Sequence, residues 1–267
     1  MVRVTTTDRR GVLRAGAGLV TSGALAAGCS ATGAGPRPVT SSGTASSRPA
    51  AHPAASAPAA PAPRAFPRQP AQITHGPRDR PRIALTFHGQ GDPDLARTLL
   101  DAAEKRGARL TVLAVGTWLE RYPRMARRIL DGGHDLGNHT ERHLAVNALP
   151  EPEARAEITA CADRLRRLTG SIGTWFRPSR APTASPLVQH LAHGAGYPHV
   201  LSYDVDSLDF TRPGAAAVTR KVLAEARNGS VVSMHFGFPD TAAALPDVLH
   251  ELDRRGLRAV TTTELLS

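Results

Sequence analysis

Two of the chain's eleven histidines stand four residues apart in the run His139-Thr140-Glu141-Arg142-His143. On one helical turn that spacing aims both imidazoles at a single ion. With no other partner, the same pair would serve as surface or capping histidines. Other residues that can do chemistry follow short apolar runs: His88 after 83–87, Arg177 after 174–176, Asp206 and Asp209 after 199–203, and His235 at the end of 230–235. His139 itself follows the run 134–138. One polar residue at such a place is ordinary. Five at corresponding places point to one shared pocket, because β/α barrels keep their chemistry at the C-terminal ends of their strands.

The elements that must position these residues alternate in kind. Strand-like runs at 83–87, 110–115, 134–138, 174–176, 199–203, 230–235 and 258–261 are separated by helical periods at 94–107, 121–130, 151–168, 184–194, 214–227 and 241–255. Apolar strands alternating with helices predict a parallel β/α architecture. Seven strands in about 185 residues predict a small, incompletely closed barrel. An open doubly wound sheet is the other arrangement, but no Gly-rich phosphate loop follows the first strand.

The formal charge of +10 and pI near 10.9 invite a nucleic-acid reading. Location removes it. Residues 1–29 carry +3 and residues 30–80 carry +5, leaving 23 basic against 21 acidic residues in 81–267. With aromatics at only 4%, no basic stacking surface is predicted. Asp8-Arg9-Arg10-Gly11-Val12-Leu13-Arg14 resembles a twin-arginine export signal, and the apolar stretch 15–28 is too short to span a bilayer. Leu25-Ala26-Ala27-Gly28-Cys29 resembles a lipobox, which makes Cys29 a lipid-bearing membrane anchor; an ordinary secretory signal with an incidental cysteine is the alternative. Residues 29–80, rich in Pro, Ala and Ser, are expected to be a disordered tether. The expected organisation is a signal peptide at 1–28, the tether, and a folded, monomeric domain at 81–267 on the outer face of a bacterial membrane.

The histidine pair, preceded by Gly137-Asn138, resembles the H-[S/T]-x-x-H motif of NodB-like polysaccharide deacetylases, carbohydrate esterase family 4. The resemblance continues in order: Leu85-Thr86-Phe87 with the strand opening T-F-D-D-G, Thr174-Trp175-Phe176-Arg177-Pro178 with R-x-P, Asp206-Ser207-Leu208-Asp209-Phe210 with D-x-x-D-W, and Ser233-Met234-His235 with L-x-H. It implies an α/β fold, a distorted (β/α)7 barrel, and divalent-metal hydrolysis of acetyl groups on an acetylated polysaccharide such as peptidoglycan, chitin or xylan. It further implies that His139 and His143 bind the metal, with zinc the ion expected. Arg177 would orient the base, Asp209 would tune His235, and His235 would be the acid.

The first motif departs: where the family has Asp-Asp, this chain has His88-Gly89, then Gln90-Gly91-Asp92. Metal hydrolysis needs three protein ligands, an open position for water and a group to take its proton. His88 as third ligand with Asp92 as base meets that need. The reverse assignment is chemically as sound. Loss of catalysis, leaving a wall-binding lipoprotein, is the competing class. Cys161 is expected to be buried and apolar, and His134, His190, His193 and His250 to be structural. Trp175, Phe210 and Phe236 are expected either to stack on sugar or to pack in the core.

Overall fold

The computed structural model describes residues 59–267. The twin-arginine run, the lipobox-like run with Cys29 and the tether up to residue 58 lie outside the described residues. In chain order the elements are β1 (Gln72–Ile73), β2 (Arg82–Gly89), α1 (Pro93–Lys105), β3 (Thr111–Ala114), α2 (Gly116–Arg121), α3 (Arg124–Asp131), β4 (Asp135–Asn138) and α4 (Glu151–Thr169), followed by α5 (Pro186–Gly194), β5 (Val200–Leu201), β6 (Val205–Asp206), α6 (Ala215–Glu225), β7 (Val231–His235), α7 (Pro239–Arg254), β8 (Arg258–Ala259) and α8 (Thr262–Leu265). Among the described residues no helix is long and apolar enough to cross a membrane.

The main sheet runs β4-β3-β2-β7-β6, all parallel, with β8 on the first two residues of β2. The central strands are buried on both faces, and Ile83, Leu85, Phe87, Val112, Val232 and Met234 pack in one apolar cluster with Leu99 and Leu100 of α1 and Leu245, Val248 and Leu252 of α7. This is the continuous apolar character that parallel strands covered by helices require. Beyond β4, parallel bridges from Asn138 to Phe176 and from Phe176 to Val200 carry the sheet on to β5. Among the described residues no ladder joins β5 to β6, so the ring stays open there, as a distorted barrel does.

The segment spanning that seam corrects the expected tether. β1 pairs in parallel with β5, Gln72 opposite Val200 and Ile73 opposite Leu201, and His75 then bridges Ser230 at the start of β7. Phe66 stacks on Trp175 with centroids 5.6 Å apart, and its amide donates to His199 Nε2 at 2.9 Å. Phe66 and Ile73 are both buried. Two large apolar side chains, each worth about 1.5–3 kcal/mol when covered, hold a Pro-rich segment that cannot fold by itself. The folded unit therefore starts before residue 81.

Four other expectations change. The helix expected at 121–130 is α3, which starts only at Arg124, with α2 a separate helix before it, because Pro123 between them has no N–H to donate. The strand expected at 174–176 is reduced to the bridges at Phe176, and 199–203 becomes the short β5, separate from β6. Finally, His139 and His143 stand on a loop after β4, not on a helical turn.

Candidate metal centre

The loop after β4 is held in a strained shape. Thr140 and His143 both have positive φ, 68° and 59°, uncommon for residues with a Cβ and costly for a β-branched one. Asn138 and Ser179 maintain it: the Asn138 Oδ1 accepts from the Thr140 amide at 2.8 Å, and Thr140 Oγ1 donates to Ser179 Oγ at 3.0 Å. Asn138 is anchored in turn by donating to the Ile158 carbonyl and Tyr197 Oη. Buried Glu157 accepts from the Arg142 amide at 2.8 Å and from its Nε at 2.6 Å. His139 and His143 thus converge from a loop fixed on both sides. None of these supports has a signature in residue spacing.

β2 delivers the third imidazole. His88 lies opposite His235 in the β2–β7 register, and its Nδ1 is 3.0 Å from His139 Nε2. His88, His139 and His143 each offer a ring nitrogen, all within 4.8 Å of one another, so the triad could hold a metal. His139 Nδ1 faces the Arg177 carbonyl at 3.0 Å, leaving Nε2 for the cluster. His143 Nε2 is buried without a hydrogen-bond partner, an arrangement that folded proteins avoid unless the atom has another use. Burial, then the neighbouring histidines, pushes the His88 and His139 pKa well below the usual imidazole range. His143 is lowered to about 4, by burial first and then by Arg180 and His235. All three are neutral at pH 7, the state in which imidazole ligates. Tetrahedral zinc at bond lengths of about 2.0–2.1 Å separates its nitrogens by about 3.3 Å, close to the 3.0 Å between His88 Nδ1 and His139 Nε2, so the residues fit a divalent ion.

Gly89 cannot carry a ligand. A Cβ there would meet Val112 Cγ1 at 2.9 Å and the Ala114 Cα at 3.1 Å. Asp92 is not brought into the triad: it is exposed, and its Oδ1 accepts from the Asp94 amide at 2.8 Å as the N-cap of α1. It does line, with His143, Trp118, Tyr122 and Arg142, an open cleft of about 520 Å³ in which it is the one acidic residue.

The opposite wall is built around Asp209. This buried carboxylate accepts from the His235 amide at 2.8 Å, from Thr241 Oγ1 at 2.6 Å, and pairs with His235 Nδ1 at 2.6 Å. His235 and His88 have ring centroids 4.3 Å apart, and the edges of Phe210 and Phe238 flank His235. Arg177 is fully buried and donates to the Leu201 and Ser202 carbonyls, with Nη1 unpartnered; burial lowers its pKa to about 10. Asp206 accepts from the Leu208 amide at the turn leading to Asp209. Of the aromatic residues weighed for sugar stacking, Trp175 and Phe236 are core, while Phe210 is 47% exposed. Cys161 is buried, as expected, with its thiol pKa pushed up by burial.

Residues 75–199 match the family model described as polysaccharide deacetylase. The chain is 31% identical over 194 residues to a peptidoglycan-N-acetylglucosamine deacetylase of Bacillus cereus, covering 71% of this chain and 90% of that protein. Among solved structures, the Bc1960 peptidoglycan N-acetylglucosamine deacetylase superposes with a TM-score of 0.69 at 26% identity over 73% of this chain and 92% of that one. BA3943 of Bacillus anthracis, described as a pseudoenzyme of carbohydrate esterase family 4, shares the fold at a TM-score of 0.70 and 24% identity over 74% of this chain and 70% of that one. With its strands, its histidine loop and its Asp209–His235 pair in the order the motifs require, the chain belongs to the polysaccharide deacetylase family.

Proposed function

We propose that this protein is a metal-dependent deacetylase that hydrolyses the N-acetyl group of a cell-wall glycan of the peptidoglycan type, with His88, His139 and His143 as the metal ligands. The observation that carries the reading is the triad of neutral, convergent imidazoles beside a carboxylate-held histidine. The relatives named for peptidoglycan supply the substrate class. A bound divalent ion would polarise the acetyl carbonyl and bring the pKa of a bound water near 7. The chain's own residues do the rest. Asp209 accepts a hydrogen bond from His235 Nδ1–H, and the doubly protonated ring hands its Nε2–H to the leaving amine as the C–N bond breaks, returning to the neutral Nδ1–H form. Asp92, on the cleft wall with His143, accepts the proton of the attacking water. Phe210 gives the sugar an exposed aromatic edge beside His235.

The leader extends the proposal to location: Arg9-Arg10 directs export, and a lipid on Cys29 holds the enzyme at the outer face of the membrane, within reach of the wall. Replacing Cys29 by Ala releases the protein from membranes on this reading; unchanged membrane association contradicts it.

Acetate release from N-acetylated peptidoglycan tests the activity. Zinc-loaded protein releases acetate, and chelated protein and His235→Ala do not. One observation favours a second reading, a glycan-binding protein without turnover: the triad contains no carboxylate, and Asp92 already caps α1. Stoichiometric zinc with glycan binding but no acetate from any acetylated glycan would establish it.

A further inference from the structure

An imidazole that binds a metal must present a lone pair to the ion while its other nitrogen keeps a proton and a partner for it. For His139 the partner is the Arg177 carbonyl, which can only accept, so Nδ1 carries the proton and Nε2 the lone pair. His88 Nδ1 stands 3.0 Å from that lone pair. Two lone pairs cannot face each other at this distance: either His88 Nδ1 carries a proton and donates it, or a cation lies between the two nitrogens.

The far nitrogen of His88, Nε2, is 3.2 Å from Ser233 Oγ. Ser233 sits on β7 opposite Thr86, two residues before His235 and therefore on the same face of the strand. It is 1% exposed, and among the described residues its hydroxyl has no other side-chain hydrogen bond. A hydroxyl is both donor and acceptor. It can donate to Nε2 when the proton is on Nδ1 and accept from Nε2 when it is not. Alanine offers neither bond, and a carbonyl offers only the second.

We infer that Ser233 is a positioning residue for His88, serving both of its neutral tautomers: Nδ1–H in the metal-free protein, donating to His139, and Nε2–H in the loaded protein, donating to Ser233 and freeing Nδ1 for the ion. The ring gains and loses one proton, the one leaving Nδ1 for solvent being matched by one taken up at Nε2. The inference rests on the three-histidine reading of the metal centre.

The test uses purified protein with ¹⁵N-labelled histidine, and Zn²⁺ as the probe. In the wild type, the His88 ring nitrogens report Nδ1–H before zinc and Nε2–H after it. Ser233→Ala lowers zinc affinity about 10–100-fold, the usual effect of removing a partner behind a metal ligand, and Ser233→Thr, which keeps the hydroxyl, restores affinity to within a few-fold. Wild-type affinity in Ser233→Ala overturns this inference alone; a zinc-loaded His88 still protonated at Nδ1 overturns it together with the place of His88 among the ligands. If the wild type binds no zinc, the metal-centre reading fails and this inference with it.

Discussion

The two walls of the pocket are built on opposite electrostatic plans. On one, three imidazoles from β2 and the loop after β4 stand together with no carboxylate among them. On the other, a single buried carboxylate, Asp209, gathers an amide, a hydroxyl and the His235 ring. The first wall is assembled from neutral imidazoles, with His143 Nε2 left without a hydrogen-bond partner. The second is satisfied within the protein. The difference teaches a division of labour on the proposed reading: a cation would complete the triad, whereas the Asp209–His235 pair needs none and is free for proton transfer.

Substitutions should therefore separate the walls. His139→Ala is expected to have the largest effect, lowering zinc affinity by more than the roughly 100-fold seen when only an outer partner is removed; isothermal titration with zinc measures it, and wild-type affinity would remove His139 from the site. Asp209→Ala should cut acetate release by about 10²–10⁴-fold, the range of a lost proton-transfer partner, while leaving zinc affinity within a few-fold of wild type. Loss of zinc in that variant would show that the walls are not independent. Away from both walls, Phe66→Ala removes the strap's stacking on Trp175 and should lower unfolding stability by about 3 kcal/mol with zinc affinity unchanged. Urea denaturation checks it, and a change under 1 kcal/mol would return residues 59–80 to the status of a tether.

The smallest effect is on pH. His143 titrates near 6.5 when unfolded and about 4 in the fold, because burial disfavours its charged form. A depressed histidine pKa means that the unfolded chain takes up the proton first. Metal-free protein should therefore hold full stability above about pH 6.5 and lose it progressively toward pH 4, with His88 and His139 acting in the same direction. Thermal melts of chelated protein across that range provide the check. A flat profile would mean that the triad is not buried in neutral form.

Much of this pocket is legible in the sequence, because strand ends, motif order and the β/α alternation are local features. His88, His139, His143, Arg177, Asp209 and His235 all reach one region for that reason. What is not legible depends on partners far along the chain. The histidine pair reads as a helical turn, yet its geometry comes from Asn138, Ser179 and Glu157, which act through hydrogen bonds with no periodic signal. Asp92 reads as a free base or ligand, although Pro93 behind it already marks a helix start where an Asp serves as cap. The strap reads as disordered because its composition is; Phe66 and Ile73 fold only against Trp175, His199 and β5. Ser233 has no role in the sequence reading until the β2–β7 register brings it to His88.

The three-histidine assignment is tested most directly by zinc titration of the wild type, His88→Ala and Asp92→Ala side by side. The assignment predicts one zinc per chain in the wild type and in Asp92→Ala, with affinity lost in His88→Ala. Retention of wild-type affinity by His88→Ala, with loss in Asp92→Ala, would contradict it and make the carboxylate the third ligand.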